Sequence, residues 1–330
     1  IYRASPWQIV LKAQEGEASI VFLDDETLLF SVSKAVLRLM PCHPVQSVQC
    51  FSEQYAQAND PLAASFHHLR CCGDGTRVEI RECPMPGTAK TAGGDRPYSV
   101  GFAGPRSFEC AVRFDFYGQV WNDQVPVFAA VAGERRAEWE AWRRLMPKVP
   151  PKYASAAEMS WMLLWSGAVS PGRLLSRKAI LGSKSAVPSS FSSLDACFTA
   201  LAVLPADQEL AFDQFRLMFD NQSPVGAFPG SLSNIARNYN CITPPLHGWA
   251  VLKFIERIGL PRSRDFLKES FDPFCHQTEW WFSNRDTDRD GICEYQHGSD
   301  SGFFNSTVFD QGCPAECPDL AAYLVLQCAA

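Results

Sequence analysis

Hydrophobic and polar positions alternate in the first third of the chain and change to a helical period in the remainder. Phe108, Cys110, Val112, Phe114 and Phe116 alternate with Glu109, Ala111, Arg113 and Asp115, the two-residue period of a half-buried strand. Similar short runs at 19–23, 36–40, 77–81 and 98–102 are separated by Gly- and Pro-rich turns such as 85–94. The pattern predicts a β-sandwich over residues 1–126.

From about Gly133 the period lengthens. Residues 134–146 form a charged helical run, broken by Pro147, Pro150 and Pro151, so 127–152 reads as a linker helix and Pro-rich boundary. Only helical segments follow. Residues 154–166 are apolar on most sides and are expected to be buried between neighbours. Ala211, Phe215, Met218 and Phe219 mark one face of a helix that starts after Asp207. Thr243 with Pro244 predicts a capped helix start, and Gly259 with Pro261 its end. A further helix at 263–282 is expected to bend at Pro273, and a last one follows Pro318.

Paired helices joined by long polar and aromatic loops predict an (α/α)6 toroid over residues 153–330, whose loops at one end would build the site. The fold class is therefore multidomain, all-β plus all-α. The helices number about half of those in a closed ring, so the toroid reads as incomplete. An opening at Ile1 without a Met and an end at Ala330 within an apolar helix fit a truncated or processed form.

At 330 residues and 46% apolar composition the chain can bury a sizeable core. A net charge of −6 with scattered Lys and Arg argues against nucleic acid or an anionic membrane as the main partner. No run reaches the roughly 18 apolar residues of a bilayer span. The 13 cysteines are irregularly spaced, with no CxxC pair, so they read as ordinary buried or free thiols in a reducing, cytoplasmic setting rather than a zinc site. Two sequons, at Asn221 and Asn305, point instead toward secretion, although Pro224 hampers the first.

The densest chemistry lies at 280–310. Trp280 and Trp281 precede an acidic loop of Asp286, Asp288, Asp290, Gly291 and Glu294; Tyr295, His297, Asp300, Phe303, Phe304 and Asn305 follow it. Such a polar and aromatic surface suits a hydroxyl-rich ligand, because sugars offer C–H faces to stack and hydroxyls to pair. The alternating carboxylates resemble the first half of a calcium loop, with Asp286, Asp288, Asp290 and Glu294 as ligands and a structural role; a solvated acidic turn is the alternative.

Asp195 opens an apolar helix after the Ser-rich stretch 183–193. It suits either a helix-capping carboxylate or, if partly buried, an acid that protonates a leaving oxygen. The Pro-rich loops at 228–230 and 242–249, which carry His247 and Trp249, either line a cleft or belong to the core. There is no GxSxG, Walker or dinucleotide motif, and no HExxH.

Taken together, 153–165, the LDACF segment at 194–198, FDQFRLMFD at 212–220, TPPLHGWA at 243–250 and WWFSNRDTDRDGICEY followed by DSG resemble family 63 of the glycoside hydrolases. That group includes processing α-glucosidase and the mannosylglycerate and glucosylglycerate hydrolases. The resemblance implies an (α/α)6 domain that cleaves an α-glucosidic or α-mannosidic bond with inversion, on a substrate such as a glycosyl-glycerate or short oligosaccharide. The family's general acid corresponds to Asp195. Sugar contacts are implied for Gln214, His247, Trp249, Asp300 and Asn305, and the flanking aromatics Trp280 and Phe303 join them. Some members carry calcium on the loop matching 286–294.

Three departures stand beside the resemblance. Leu194 replaces the Trp expected before the acid. Gly302-Phe303-Phe304-Asn305 stands where Gly-Trp-Asp-Asn is usual, a loss of charged contacts worth about 1–3 kcal/mol. The family's general base, a Glu far downstream, falls beyond residue 330, and the local carboxylates Glu279, Asp300 and Glu316 sit in no recognised base motif. A catalytically impaired carbohydrate-binding relative is thus the second reading.

Overall fold

Alternation places one face of each N-terminal strand against a core, and the strands pair accordingly. The computed structural model describes residues 2–13, 15–39, 47–60, 65–82, 98–115, 118–182, 190–303 and 305–330. These divide into two compact units, 1–141 and 142–330. The division falls inside the helix Phe128–Arg144. The turn at 85–94, most of 183–193, Phe116 and Phe304 lie outside the described residues.

The first unit contains β1 (Tyr2–Ser5), β2 (Gln8–Lys12), β3 (Glu17–Phe22), β4 (Thr27–Ser33), β5 (Leu37–Leu39), β6 (Ser47–Ser52), β7 (Tyr55–Asp60), β8 (Ser65–Cys72), β9 (Arg77–Glu82), β10 (Tyr98–Ala103) and β11 (Ser107–Asp115), followed by α1 (Phe128–Arg144). Eight strands form one antiparallel sheet in the order β1-β2-β3-β4-β11-β8-β7-β6, and β5-β10-β9 form a second. Phe30, Val32, Leu69, Cys110 and Val112 of the large sheet share a core with Leu37, Val100 and Phe102 of the small one. Val21, Leu29 and Ala111 point to the opposite face, where Trp121, Phe128 and Val131 cover them.

Because both faces are covered, the simple alternation fails at the end of β11. Phe114 is exposed and Asp115 is buried. Asp115 turns inward to His68, whose Nε2 lies 2.7 Å from Asp115 Oδ2. His68 Nδ1 meets the Tyr55 hydroxyl at 2.7 Å, and that oxygen accepts the Trp121 amide at 3.0 Å. Burial holds the imidazole below its ordinary pKa despite the carboxylate.

The second unit is mainly helical, with α2 (Ala154–Gly167), α3 (Ser193–Val203), α4 (Gln208–Asp220), α5 (His247–Ile258), α6 (Leu260–Asn284) and α7 (Pro318–Ala329), but two-residue strands pair between the helices where only helical segments were expected. Helix α3 packs on α4 and α5, and α5 packs on α6 and α7. Phe215 sits at the centre of their core, with the rings of Phe254, His247, Phe266 and Phe274 at 5.3, 5.6, 5.7 and 6.4 Å. Such aromatic pairs contribute about 0.5–1.5 kcal/mol each beyond burial.

Two helical expectations need correction. Only Trp161 and Gly167 of α2 are buried, and Met159 and Leu163 face solvent, so its all-round apolar sequence is not matched by cover on all sides. Thr243 does not cap α5. Its hydroxyl is buried without a partner, the 244–246 turn intervenes, and the helix begins at His247. Helix α6 runs unbroken through Pro273, extending beyond 263–282 at both ends. Among the described residues no helix is long and apolar enough to cross a membrane.

Candidate functional site

The start of α3 is fixed by its own sequence. The Ser192 hydroxyl accepts the Asp195 amide at 2.9 Å, and the Asp195 Oδ2 accepts the Ser192 amide at 3.2 Å. This reciprocal capping box satisfies two otherwise unpaired donors and is worth about 1 kcal/mol. Ser192 also belongs to a small antiparallel ribbon, Phe191–Ser192 against Ser231–Leu232 against Arg237–Asn238. The Ser193 amide donates to Gly230 O at 3.2 Å. Only glycine fits at 230, since a Cβ there would lie 1.6 Å from Cys241 O. Asp195 itself is half-buried.

The next residue inward ties α3 to α5. Ser193 Oγ lies 2.8 Å from His247 Nε2, and both side chains are buried. The rings of Phe228, Phe215 and Phe274 surround His247, so burial pushes its pKa down to about 3 and the imidazole is neutral. Its Nδ1 has no partner.

A third segment arrives from the C-terminal side. Gly302 adopts φ +73, and a Cβ there would sit 3.2 Å from Leu194 Cδ2 and 4.0 Å from Pro244 Cδ. The turn holding Gly302 is organised by Asp300, whose Oδ2 accepts the Gln296 and His297 amides at 3.2 and 3.1 Å. Arg285 Nη1 stands 3.6 Å from that oxygen and donates to Gln296 Oε1 at 2.7 Å. Its guanidinium lies 5.2 Å from the Trp280 ring centroid. Asp300 Oδ1 is buried without a partner, and burial raises the carboxyl above its ordinary range against the opposing pull of Arg285.

The expected site residues therefore separate into two groups. The α3 start with Asp195, the α5 start with Trp249 and the turn with Asp300 and Phe303 converge through the Ser193–His247 and Leu194–Gly302 contacts. Phe303 is exposed, as is Asn305 beside it. Gln214 and His247 are fully buried and bonded within the protein, so in this structure they are core residues rather than cleft-lining ones. Gln214 Oε1 accepts the Ile180 amide at 2.9 Å, and its Nε2 donates to Lys178 O and Leu210 O at 3.1 and 2.9 Å. Trp280 is likewise buried, in a cluster with Trp281, Tyr295 and Ala227. The bonded roles of Ser193 and Arg285 were not read from the sequence. Asp195 was expected as a capping carboxylate or an acid; the role of Ser192 as the N-cap was not read.

The acidic loop forms a separate cluster. Carboxylate oxygens of Asp286, Asp288 and Asp290 lie within 4.8 Å of one another, as do those of Asp288, Glu294 and Glu316. Glu316 was not expected here; it arrives because Glu294 and Glu316 are cross-strand partners in a two-residue ribbon. Asp286 accepts the Asp290 and Gly291 amides, both at 3.1 Å, which curls the loop. Neighbouring carboxylates, Asp290 foremost, raise the Glu316 pKa. An all-oxygen, mutually repelling donor set of this kind fits a hard cation such as calcium.

Residues 189–320 match the family model of the mannosylglycerate hydrolase MGH1-like glycoside hydrolase domain. An uncharacterized protein of Saccharomyces cerevisiae, YMR196W, is 27% identical over 208 residues, which is 60% of this chain and 17% of that protein. Among solved structures, a GH63 mannosylglycerate hydrolase from Thermus thermophilus in complex with Tris is 20% identical, with a TM-score of 0.36 over 45% of this chain and 38% of that one. A family GH92 inverting mannosidase from Bacteroides thetaiotaomicron shares the fold at a TM-score of 0.51 and 11% identity, over 89% of this chain and 45% of that one. The chain thus spans about a sixth of the curated relative and less than half of either solved structure. Over residues 189–320, which carry Asp195, His247 and the acidic loop, the chain is similar to the MGH1-like glycoside hydrolases.

Proposed function

We propose that the chain is the acid-bearing part of an inverting α-glycosidase acting on an α-mannoside or α-glucoside, built on an (α/α)6 toroid. The observation that supports this reading is that the two residues before Asp195 in the first turn of α3 tie it to the α5 start and to the Gly302 turn, Ser193 through His247 and Leu194 through Gly302. Asp195 would protonate the leaving glycosidic oxygen. Inversion also needs a second carboxylate about 6.5–9.5 Å away to activate water on the opposite face of the ring. Glu279 is exposed on α6 and Glu316 belongs to the acidic cluster, so neither is offered as that base.

Calcium held by Asp286, Asp288, Asp290 and Glu294, with Glu316 added, would supply positive charge that holds the loop between α6 and the Asp300 turn. It takes no part in bond cleavage. A second reading, carbohydrate binding without turnover, is favoured by two contacts. Asp195 Oδ2 is engaged in the capping box, and Leu194 packs on Gly302 where the family places a Trp. Incubation with α-linked glycosyl-glycerates, followed by 1H NMR of the released sugar, separates the two. Release supports the hydrolase; saturation-transfer signals without release support the binder.

A further inference from the structure

We propose that Phe198 and Trp249 form an aromatic corner that stacks a pyranose ring beside Asp195, with Phe198 a specificity-determining residue. This deepens the glycosidase reading and rests on it. Phe198 closes the LDACF segment, but no binding role was assigned to it from the sequence.

Helix α3 is apolar and closely packed. Ala196, Cys197, Ala200, Leu201 and Val203 are all buried, yet Phe198 is 50% exposed. Full burial of a phenylalanine side chain is worth about 1.5–3 kcal/mol, so half of its ring stays in water at a cost. Single exposed aromatics are ordinary, and exposure alone assigns nothing.

Two neighbours separate this one from that background. Trp249, half-buried near the start of α5, meets it at 5.7 Å between centroids and an interplanar angle of 61°. The two rings therefore form a corner rather than a single flat surface. Asp195 lies three residues before Phe198, and side chains at that spacing are neighbours on a helix face. Thr199 does not compete for the space, because its hydroxyl donates back to Asp195 O at 2.7 Å.

The chemistry of the corner specifies its ligand. A pyranose carries apolar C–H groups on one face and hydroxyls around its rim. One ring would take the C–H face, while the adjoining carboxyl reaches the glycosidic oxygen at its edge. Epimers differ in which hydroxyls project from that face, so an aromatic wall here would discriminate between them.

The test uses the full chain carrying Asp195→Asn to prevent cleavage, titrated with methyl α-mannopyranoside and methyl α-glucopyranoside and followed by saturation-transfer NMR and tryptophan fluorescence. Adding Phe198→Ala is expected to weaken the preferred sugar by about 3- to 10-fold and to narrow the preference between the two. Phe198→Tyr is expected to retain both properties, which excludes a general folding defect as the cause. If the parent binds a sugar and Phe198→Ala binds both equally well, the corner is overturned while the glycosidase reading stands. If the parent binds neither sugar, that reading fails and takes the corner with it.

Discussion

Ser193 Oγ and His247 Nε2 meet at 2.8 Å in a fully buried pair that fastens the start of α3 to the start of α5. The imidazole is neutral, with its pKa pushed from 6.5 down to about 3 by burial. A depressed histidine binds fewer protons folded than unfolded, so stability is present above the unfolded pKa and is lost as pH falls. The loss between pH 6.5 and about 3 approaches 1.4 kcal/mol per pH unit. Urea midpoints at pH 7 and pH 5 will fall accordingly, and His247→Gln will flatten that dependence. An unchanged slope in the variant would contradict the assignment.

Arg285 is the counter-charge of Asp300. Arg285→Met keeps the stem over Trp280 but leaves a buried carboxylate with two amide donors and no cation. A loss of about 3–5 kcal/mol is expected near neutral pH. Because the Asp300 pKa is raised, the folded state takes up its proton first, and acidification relieves the charge. The destabilisation should therefore shrink between pH 8 and pH 5. Equal losses at both would contradict this account.

Asp288 belongs to both carboxylate groups of the acidic loop. Calcium at millimolar concentration should raise the melting temperature, and chelation should lower it. Asp288→Ala should abolish the difference. A melting temperature indifferent to calcium would remove the proposed ion and leave a solvated acidic turn.

Tyr55 joins the first unit's two-sided core through a chain of Trp121 amide, phenol, His68 and Asp115. Tyr55→Phe strands the amide and one imidazole nitrogen while preserving the ring. A loss of about 1–3 kcal/mol in urea denaturation is expected, and a value near zero would mean that water replaces the hydroxyl.

The strand alternation at 77–81 and 98–102 was legible because Val78, Ile80, Val100 and Phe102 face one core, whereas 19–23 divides between two, Ile20 on one side and Val21 on the other. β7 was not, since its inward residues Ala56 and Ala58 are small and polar Asp60 follows them in the buried phase, while the strand still pairs on both sides. Helix α2 was legible as a helix but not in its burial, because periodicity reports which sides are apolar and not what covers them. A carboxylate at a helix start serves a cap as readily as it donates a proton, and Asp195 completes the capping box whose N-cap is Ser192. His247 looked like a cleft residue within its Pro-rich loop. Phe215, Phe228 and Phe274, distant in sequence, enclose it. Glu316 joined the acidic cluster through strand register alone.

The central claim is best tested by time-resolved 1H NMR of the sugar first released from an α-linked glycosyl-glycerate by the wild-type chain and by Asp195→Asn. The account predicts that the β-anomer appears first, before mutarotation, and that the variant is slower by about 10²–10⁴-fold. First release of the α-anomer, or equal rates in the two proteins, would contradict it.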